Sequence, residues 1–120
     1  MKNLILVIED NNDIRESVAE LLKLEGYQII EADSGEMALP LIQQHQPDLI
    51  ICDIVLTGID GYEILTRVKQ SKLKIPFIFS SAKAEKQDRQ KASDLGVECY
   101  LTKPFAEEEL LQSVKSLIAE

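Results

Sequence analysis

Five short apolar runs punctuate the chain: Leu4 to Ile8, Tyr27 to Ile30, Leu49 to Cys52, Ile75 to Phe79 and Cys99 to Leu101. A strand with one wet face alternates apolar and polar residues; these runs do not, so each reads as a strand covered on both sides. Helical periodicity fills each interval between them and follows the last. Buried strands separated by helices pair in parallel, because each helix carries the chain back along the sheet. The expected architecture is one α/β domain over residues 1–120, a doubly wound (βα)5 sheet of five parallel strands in the flavodoxin-like order 2-1-3-4-5.

In the first helix Ile14, Val18, Leu21 and Leu22 have helical spacing, and Gly26 is placed to end it. Asp33 with Glu36, and Asp60 with Glu63, have the spacing of an N-cap and its reciprocal acid, which predicts the starts of the second and third helices. Ile64, Leu65 and Val68 form the buried stripe of the third. Leu110, Leu111, Val114, Leu117 and Ile118 form that of the fifth, where Glu107, Glu108 and Glu109 favour the positive end of the helix dipole and Phe105 is placed to staple onto Leu110. The fourth helix, roughly Ala84 to Leu95, offers the core only Ala84, Ala92 and Leu95, which predicts weak anchoring. Pro40 lies well inside the second helix, where a regular turn would cost about 3 kcal/mol, so a kink or a late start is expected.

At 120 residues the chain can bury a core without disulfides. Cys52 and Cys99 fall in the third and fifth runs, about 10 Å apart if one strand lies between them. That is too far for a disulfide, so both read as reduced, buried thiols. Only six residues separate Lys2 from Glu9, too few for a signal peptide or a membrane-spanning helix, and a cytoplasmic location is expected. The net charge of −8 opposes nucleic acid and anionic membrane, apart from a local patch of Lys83, Lys86, Arg89 and Lys91, and argues against direct DNA binding by this chain. His45, near the end of the second helix, reads as a surface imidazole beside the C-terminal dipole.

The chemistry sits where the strands end. Glu9 and Asp10 follow the first run, Asp53 the third, Ser81 the fourth, and Lys103 with Pro104 the fifth. Open parallel sheets bind ligands beyond the carboxyl ends of their strands, at the point where strand order reverses. Strands one and three flank that point, so the three acids should meet there. Clustered carboxylates without histidine or thiol partners suit Mg²⁺, or Mn²⁺ in its place. With Lys103 as a second positive charge, such a site can neutralise a phosphoryl group on its way to Asp53.

Five segments in register carry a resemblance over essentially the whole chain: Leu4 to Asn11, Pro47 to Ile54, Asp60-Gly61, Ser81-Ala82, and Tyr100 to Phe105. Together they are similar to the receiver domain of bacterial two-component response regulators. The resemblance implies that Asp53 is the phosphoacceptor, loaded by a sensor histidine kinase or a phosphotransfer protein. It implies Mg²⁺ held by Asp10, Asp53 and the Val55 carbonyl, with Glu9 acting through water. It assigns Lys103 to the phosphoryl oxygens and expects a cis bond to Pro104. Ser81, next to Ala82, and Tyr100 would be the switch pair, with Ser80 as the rival hydroxyl. Their movement would reach the surface of the fourth helix, fifth strand and fifth helix. Val55 and Lys83 hold positions that tune self-dephosphorylation, and an apolar Val55 cannot position an attacking water, which implies a long-lived phosphoryl group.

The chain departs from the usual pattern in two places. Thr57 stands where a proline commonly follows the acceptor, while Gly58 and Asp60-Gly61 keep the turn character. Ser113 stands where receivers fused to winged-helix domains often carry arginine, which weakens one mode of phosphorylation-dependent homodimer. The output would be a downstream protein or a fused domain. The expected role is a switch that assists its own phosphorylation and dephosphorylation and turns over no outside substrate. An aspartate-nucleophile phosphohydrolase would need an acid at position 55, a flavin carrier would need phosphate donors where Glu9 and Asp10 stand, and a degenerate receiver would not need Asp10, Asp53, Ser81 and Lys103 together.

Overall fold

The computed structural model describes residues 3–83 and 85–118. Five β-α units follow one another: β1 Leu4–Ile8 and α1 Asn12–Leu24; β2 Gln28–Ala32 and α2 Gly35–His45; β3 Leu49–Cys52 and α3 Gly61–Gln70; β4 Phe77–Ser81 and α4 Lys86–Asp94; β5 Cys99–Thr102 and α5 Glu107–Leu117. All four pairings are parallel and the strand order is β2-β1-β3-β4-β5, as the sequence predicts. Successive side chains along each strand feed two separate cores. Leu6, Ile8, Ile50, Cys52, Phe77 and Phe79 point to the face covered by α2, α3 and α4. Ile5, Val7, Leu49, Ile51 and Ile78 point to the face covered by α1 and α5. Burial on both faces is why the strands read as unbroken apolar runs.

Two strands are displaced from their sequence-predicted bounds. β2 starts after Tyr27 and continues through Glu31 and Ala32, and β4 starts after Pro76 and runs into Ser80 and Ser81. Pro76 has no N–H to give to a ladder, although its carbonyl accepts from Ile50. The two serines are as buried as the aromatic residues before them, so polarity alone misplaces the strand's end.

The second helix corrects two expectations. Its N-cap is Ser34, whose side chain accepts from the Met37 N–H; Asp33 lies outside the helix and Glu36 turns elsewhere. Pro40 sits inside an unbroken α2 that starts early, at Gly35. Pro40 and Glu36 are both on the wet side, so the Glu36 carbonyl that loses its N–H partner faces solvent. The third helix starts where expected, with Asp60 accepting from Glu63 N–H at 2.9 Å, but the Glu63 side chain, expected to reach back to the cap, pairs with Arg67 at 3.0 Å. Gly26 follows α1 with φ of 96°, the left-handed conformation that ends a helix.

The helix faces differ in depth. Leu110 and Val114 of α5 and the following Ile118 are buried, with Leu111, Leu117 and Phe105 packed partly against the same cluster. In α1, Leu22 and Ala19 are buried while Ile14, expected on the core face, is 36% exposed in the first turn. In α4 only Ala92 is buried, with Leu95 partly so just beyond the helix; Ala84 lies outside the described residues. Cys52 and Cys99 are free, in β3 and β5 with β4 between them. No helix among the described residues is long and apolar enough to cross a membrane.

Because a lost N-cap costs about 1 kcal/mol, Ser34→Ala should lower the urea-unfolding free energy by that amount while Asp33→Ala leaves it nearly unchanged. The reverse order would restore the Asp33 cap.

Candidate functional site

Hydrogen bonding continues one residue past the paired strands, and this places the chemistry. Ile8 lies opposite Cys52 in the ladder; beyond them the Asp53 N–H donates to Ile8 O at 3.0 Å and the Glu9 N–H to Ala32 O at 3.1 Å. Glu9 and Asp53 thus leave adjacent strands side by side, 4% and 8% exposed. On the other flank the Lys103 N–H donates to Ser81 O at 2.8 Å. Two strand spacings, about 10 Å, separate β5 from β3, so only a long side chain can cross. The Lys103 ammonium does so, donating to Glu9 Oε1 at 2.5 Å and Asp53 Oδ2 at 2.9 Å.

The acids outnumber that ammonium. Oxygens of Glu9, Asp10 and Asp53 lie within 4.8 Å of one another, with Asp10 on the exposed side. Burial holds the Glu9 carboxyl above its usual range; the Lys103 and Asn11 bonds lower it and the Asp53 charge raises it again. Burial alone would lower the Lys103 ammonium, but the bonds from both carboxylates outweigh it and its pKa lies above the ordinary value. The second Asp53 oxygen accepts from the Val55 N–H at 3.2 Å, and the second Glu9 oxygen from the Asn11 N–H at 3.1 Å. Asp53 is therefore fixed at both oxygens.

The expected switch residues gather on the β4-β5 side. Ser81 Oγ accepts from the Lys83 N–H at 3.2 Å, and Tyr100 donates its hydroxyl to the Lys83 carbonyl at 2.6 Å. One residue of backbone thus joins the two side chains. Burial, followed by the Asp88 charge, raises the Tyr100 phenol above its ordinary value, so it stays a donor at neutral pH. The Lys103–Pro104 bond is cis. Ser80 is buried beside Ser81, Ala82 is exposed, and Val55 is 55% exposed at the mouth of the site. His45 is exposed at the far end of α2.

Three bracing residues escape sequence reading. Gly61 packs so tightly under the loop that begins at Asp53 that a Cβ there would lie 2.6 Å from Asp53 O and 2.8 Å from Ile54 Cα, while its N–H bonds Ile54 O at 2.8 Å. Glu36, expected to complete a cap, instead accepts from Ile59 N–H at 3.3 Å and holds the loop between β3 and α3. Arg15 donates to Glu9 O at 2.9 Å and pairs with Glu31 of β2 at 3.3 Å. Gly61 was visible only as a turn residue; nothing in the spacing of Glu36 or Arg15 signals partners 23 and 16 positions away.

The sequence profile described as "Response regulator receiver domain" matches residues 5–115. The chain belongs to that family. This receiver is 35% identical over 116 residues to the phosphate regulon transcriptional regulatory protein PhoB of Pseudomonas aeruginosa, covering 95% of this chain and 51% of the relative. It is 36% identical over 118 residues to the alkaline phosphatase synthesis transcriptional regulatory protein PhoP of Bacillus subtilis, covering 98% and 49%. The chain thus spans about half the length of these curated relatives. Among solved structures, a putative response regulator from Chloroflexus aurantiacus superposes over all of both chains with a TM-score of 0.94 at 34% identity. The chemotaxis protein CheY4 of Vibrio cholerae superposes with a TM-score of 0.92 at 25% identity, covering 98% of this receiver and 99% of that chain.

Backbone against backbone leaves little room for relief. Gly61→Ala should destabilise the receiver by about 1–3 kcal/mol in urea unfolding, as overpacked sites do. A cost near zero would mean that the loop beginning at Asp53 yields freely.

Proposed function

We propose that this receiver is a phosphorylation-gated switch in which Asp53 accepts a phosphoryl group from a phosphohistidine of a sensor kinase or phosphotransfer protein. The observation that carries it is the reach of Lys103 from β5 to both Glu9 and Asp53, which places one ammonium over two buried carboxylates at the strand ends. A salt bridge serving stability alone would not need a third acid, Asp10, within the same 4.8 Å.

The donor set fits a hard divalent cation: three carboxylates meet one ammonium, with no thiol or imidazole among the candidate ligands. Asp10, Asp53 and the Val55 carbonyl would hold it, with Glu9 acting through water. Mg²⁺ or Mn²⁺ bound there would lend positive charge to the phosphoryl oxygens.

The protein's own groups orient the transfer. Lys103 and the Val55 N–H hold the two Asp53 oxygens. One of these oxygens attacks phosphorus. The P–N bond of the donor breaks, its electron pair leaves on the imidazole, and that ring takes up a proton. Lys103 then follows the new charge onto the phosphoryl oxygens, and the Ser81 hydroxyl donates to them. Ser81 and Tyr100 share Lys83, so this movement reaches the surface of α4, β5 and α5. Residues 1–120 act as a single unit in this scheme, inside the cytoplasm. The output is a downstream protein, a phosphorylation-dependent homodimer or a fused domain, as the greater length of the named transcriptional regulators suggests. With net charge −8, the receiver itself makes no direct nucleic acid contact. It assists its own phosphorylation and dephosphorylation and needs no other substrate.

Incubation with Mg²⁺ and acetyl phosphate should add one phosphoryl mass to the wild type, and none to Asp53→Asn or in the presence of EDTA. Equal addition to Asp53→Asn would move the acceptor elsewhere. Because the exposed Val55 side chain cannot orient a water, the phosphoryl group should be long-lived, and Val55→Asn should shorten its half-life severalfold in a decay assay. An unchanged half-life would remove Val55 from that role.

A further inference from the structure

The fourth helix is held by an unusual set of contacts. It buries only Ala92, and its N-cap, Glu85, makes no side-chain capping bond. Beneath it runs a row of aromatic rings packed edge to face: Tyr62 against Phe79 with centroids 5.7 Å apart, and Phe79 against Tyr100 at 6.4 Å. At 100° per residue, Asp88 and Ala92 share the inner face of α4, with Lys91 and Arg89 on opposite flanks. The contacts follow that geometry. Lys91 Nζ stands 4.2 Å from the centroid of the Tyr62 ring, and Arg89 Cζ stands 4.9 Å from that of Tyr100. The Tyr62 hydroxyl points at the Asp88 carbonyl at 3.5 Å, and Arg89 donates to Thr102 Oγ1. The helix straddles the aromatic row with a cation on each tyrosine.

Each tyrosine is tied to one side of the acceptor. Tyr100 precedes Lys103, whose ammonium bonds Asp53. Tyr62 follows Gly61, whose backbone lies against the Asp53 carbonyl and whose N–H bonds Ile54 O.

We propose that Tyr62 and Lys91 are positioning residues for the acceptor site, coupling the loop that carries Asp53 to α4 at the end of the aromatic row away from Ser81 and Tyr100. The proposal rests on Asp53 being the acceptor. Lys91 makes no contact with Glu9, Asp10, Asp53 or Lys103 among the described residues, so it acts only through α4 and Tyr62. The hold coexists with Lys103 bonded to Asp53 Oδ2 itself, a bond that loading must break, and coupling is reciprocal: whatever stabilises that arrangement opposes loading of Asp53. Loosening the hold therefore favours loading.

The test is a titration with beryllofluoride, a phosphoryl mimic, in excess Mg²⁺, followed by ¹⁹F NMR. Lys91→Met should bind more tightly than wild type by about two- to fivefold, the factor an exposed cation–π contact is worth. Tyr62→Phe, which keeps the ring and drops the hydroxyl, should shift affinity in the same direction by less. Lys86→Met, on the same helix and without a side-chain partner among the described residues, controls for charge. Loss of a cation weakens an anionic ligand, so tighter binding by Lys91→Met runs against simple electrostatics. Equal affinity of Lys91→Met and Lys86→Met, even with a lowered melting temperature, would make the contact purely structural and overturn the proposal. Failure of the wild type to bind would overturn the acceptor reading itself, and the proposal with it.

Discussion

Parallel pairing forces like charges together in this domain. When β1 and β3 run side by side in the same direction, the residues that follow them, Glu9 and Asp53, must emerge as neighbours. Both are nearly buried, and an unpaired charge at such a place costs several kcal/mol. The domain answers with one ammonium that crosses from the edge of the sheet, over the end of β4. This makes Lys103 a tie between the β5 edge and the interior strands β1 and β3 as well as a counter-charge. Its surroundings leave room for more positive charge, because Asp10 adds a third carboxylate that the ammonium does not reach. The site is thus built short of cation.

That electrostatic conflict explains the bracing around Asp53. Asp53 must keep its carboxylate beside Glu9 against repulsion, so its backbone cannot be soft. Gly61 lies flat against its carbonyl, Glu36 reaches from α2 to hold Ile59, and Arg15 fastens the Glu9 carbonyl to α1 and β2. Cys52, one residue before Asp53, is fully buried, and its thiol donates to the Asp53 carbonyl at 3.1 Å. Burial, reinforced by the neighbouring carboxylates, pushes this thiol well above its ordinary pKa, so it serves as packing and not as a nucleophile.

The parallel sheet and the site acids were legible because both follow from local patterns: unbroken apolar runs announce doubly covered strands, and the residues that end them must gather at one edge; the strand order came with the flavodoxin-like expectation and not from any spacing. Features set by partners distant in sequence were not. Asp33 and Ser34 are both good caps, and only the entry angle of the chain after β2 chooses Ser34. Glu36 is released from the cap by that choice and is drawn to the Ile59 amide. Ile14 satisfies the periodicity of α1 yet stays at the surface, since the first turn lies near the site rather than over the core. Helix four was legible only as a helix poor in apolar residues; the rings beneath it come from α3, β4 and β5, which no spacing reveals.

The contrast between α4 and α5 is one of anchorage. Helix five and the residue after it bury Leu110, Val114 and Ile118, each worth roughly 1.5–3 kcal/mol, a hold that depends on area and is indifferent to charge. Helix four buries only Ala92 and rests otherwise on two cation–π contacts of about 0.5–1 kcal/mol each, on the Arg89 bond to Thr102 and on the Tyr62 hydroxyl aimed at the Asp88 carbonyl. Moving a two-state element from one conformer in a hundred to ninety-nine takes about 5.5 kcal/mol of differential interaction. An apolar anchorage like that of α5 would consume most of that energy before any movement occurred. The polar anchorage of α4 asks for far less, and both of its cation–π contacts lead back within three residues to a group that lies against Asp53. The shortage of apolar residues thus leaves α4 the more easily displaced of the two helices.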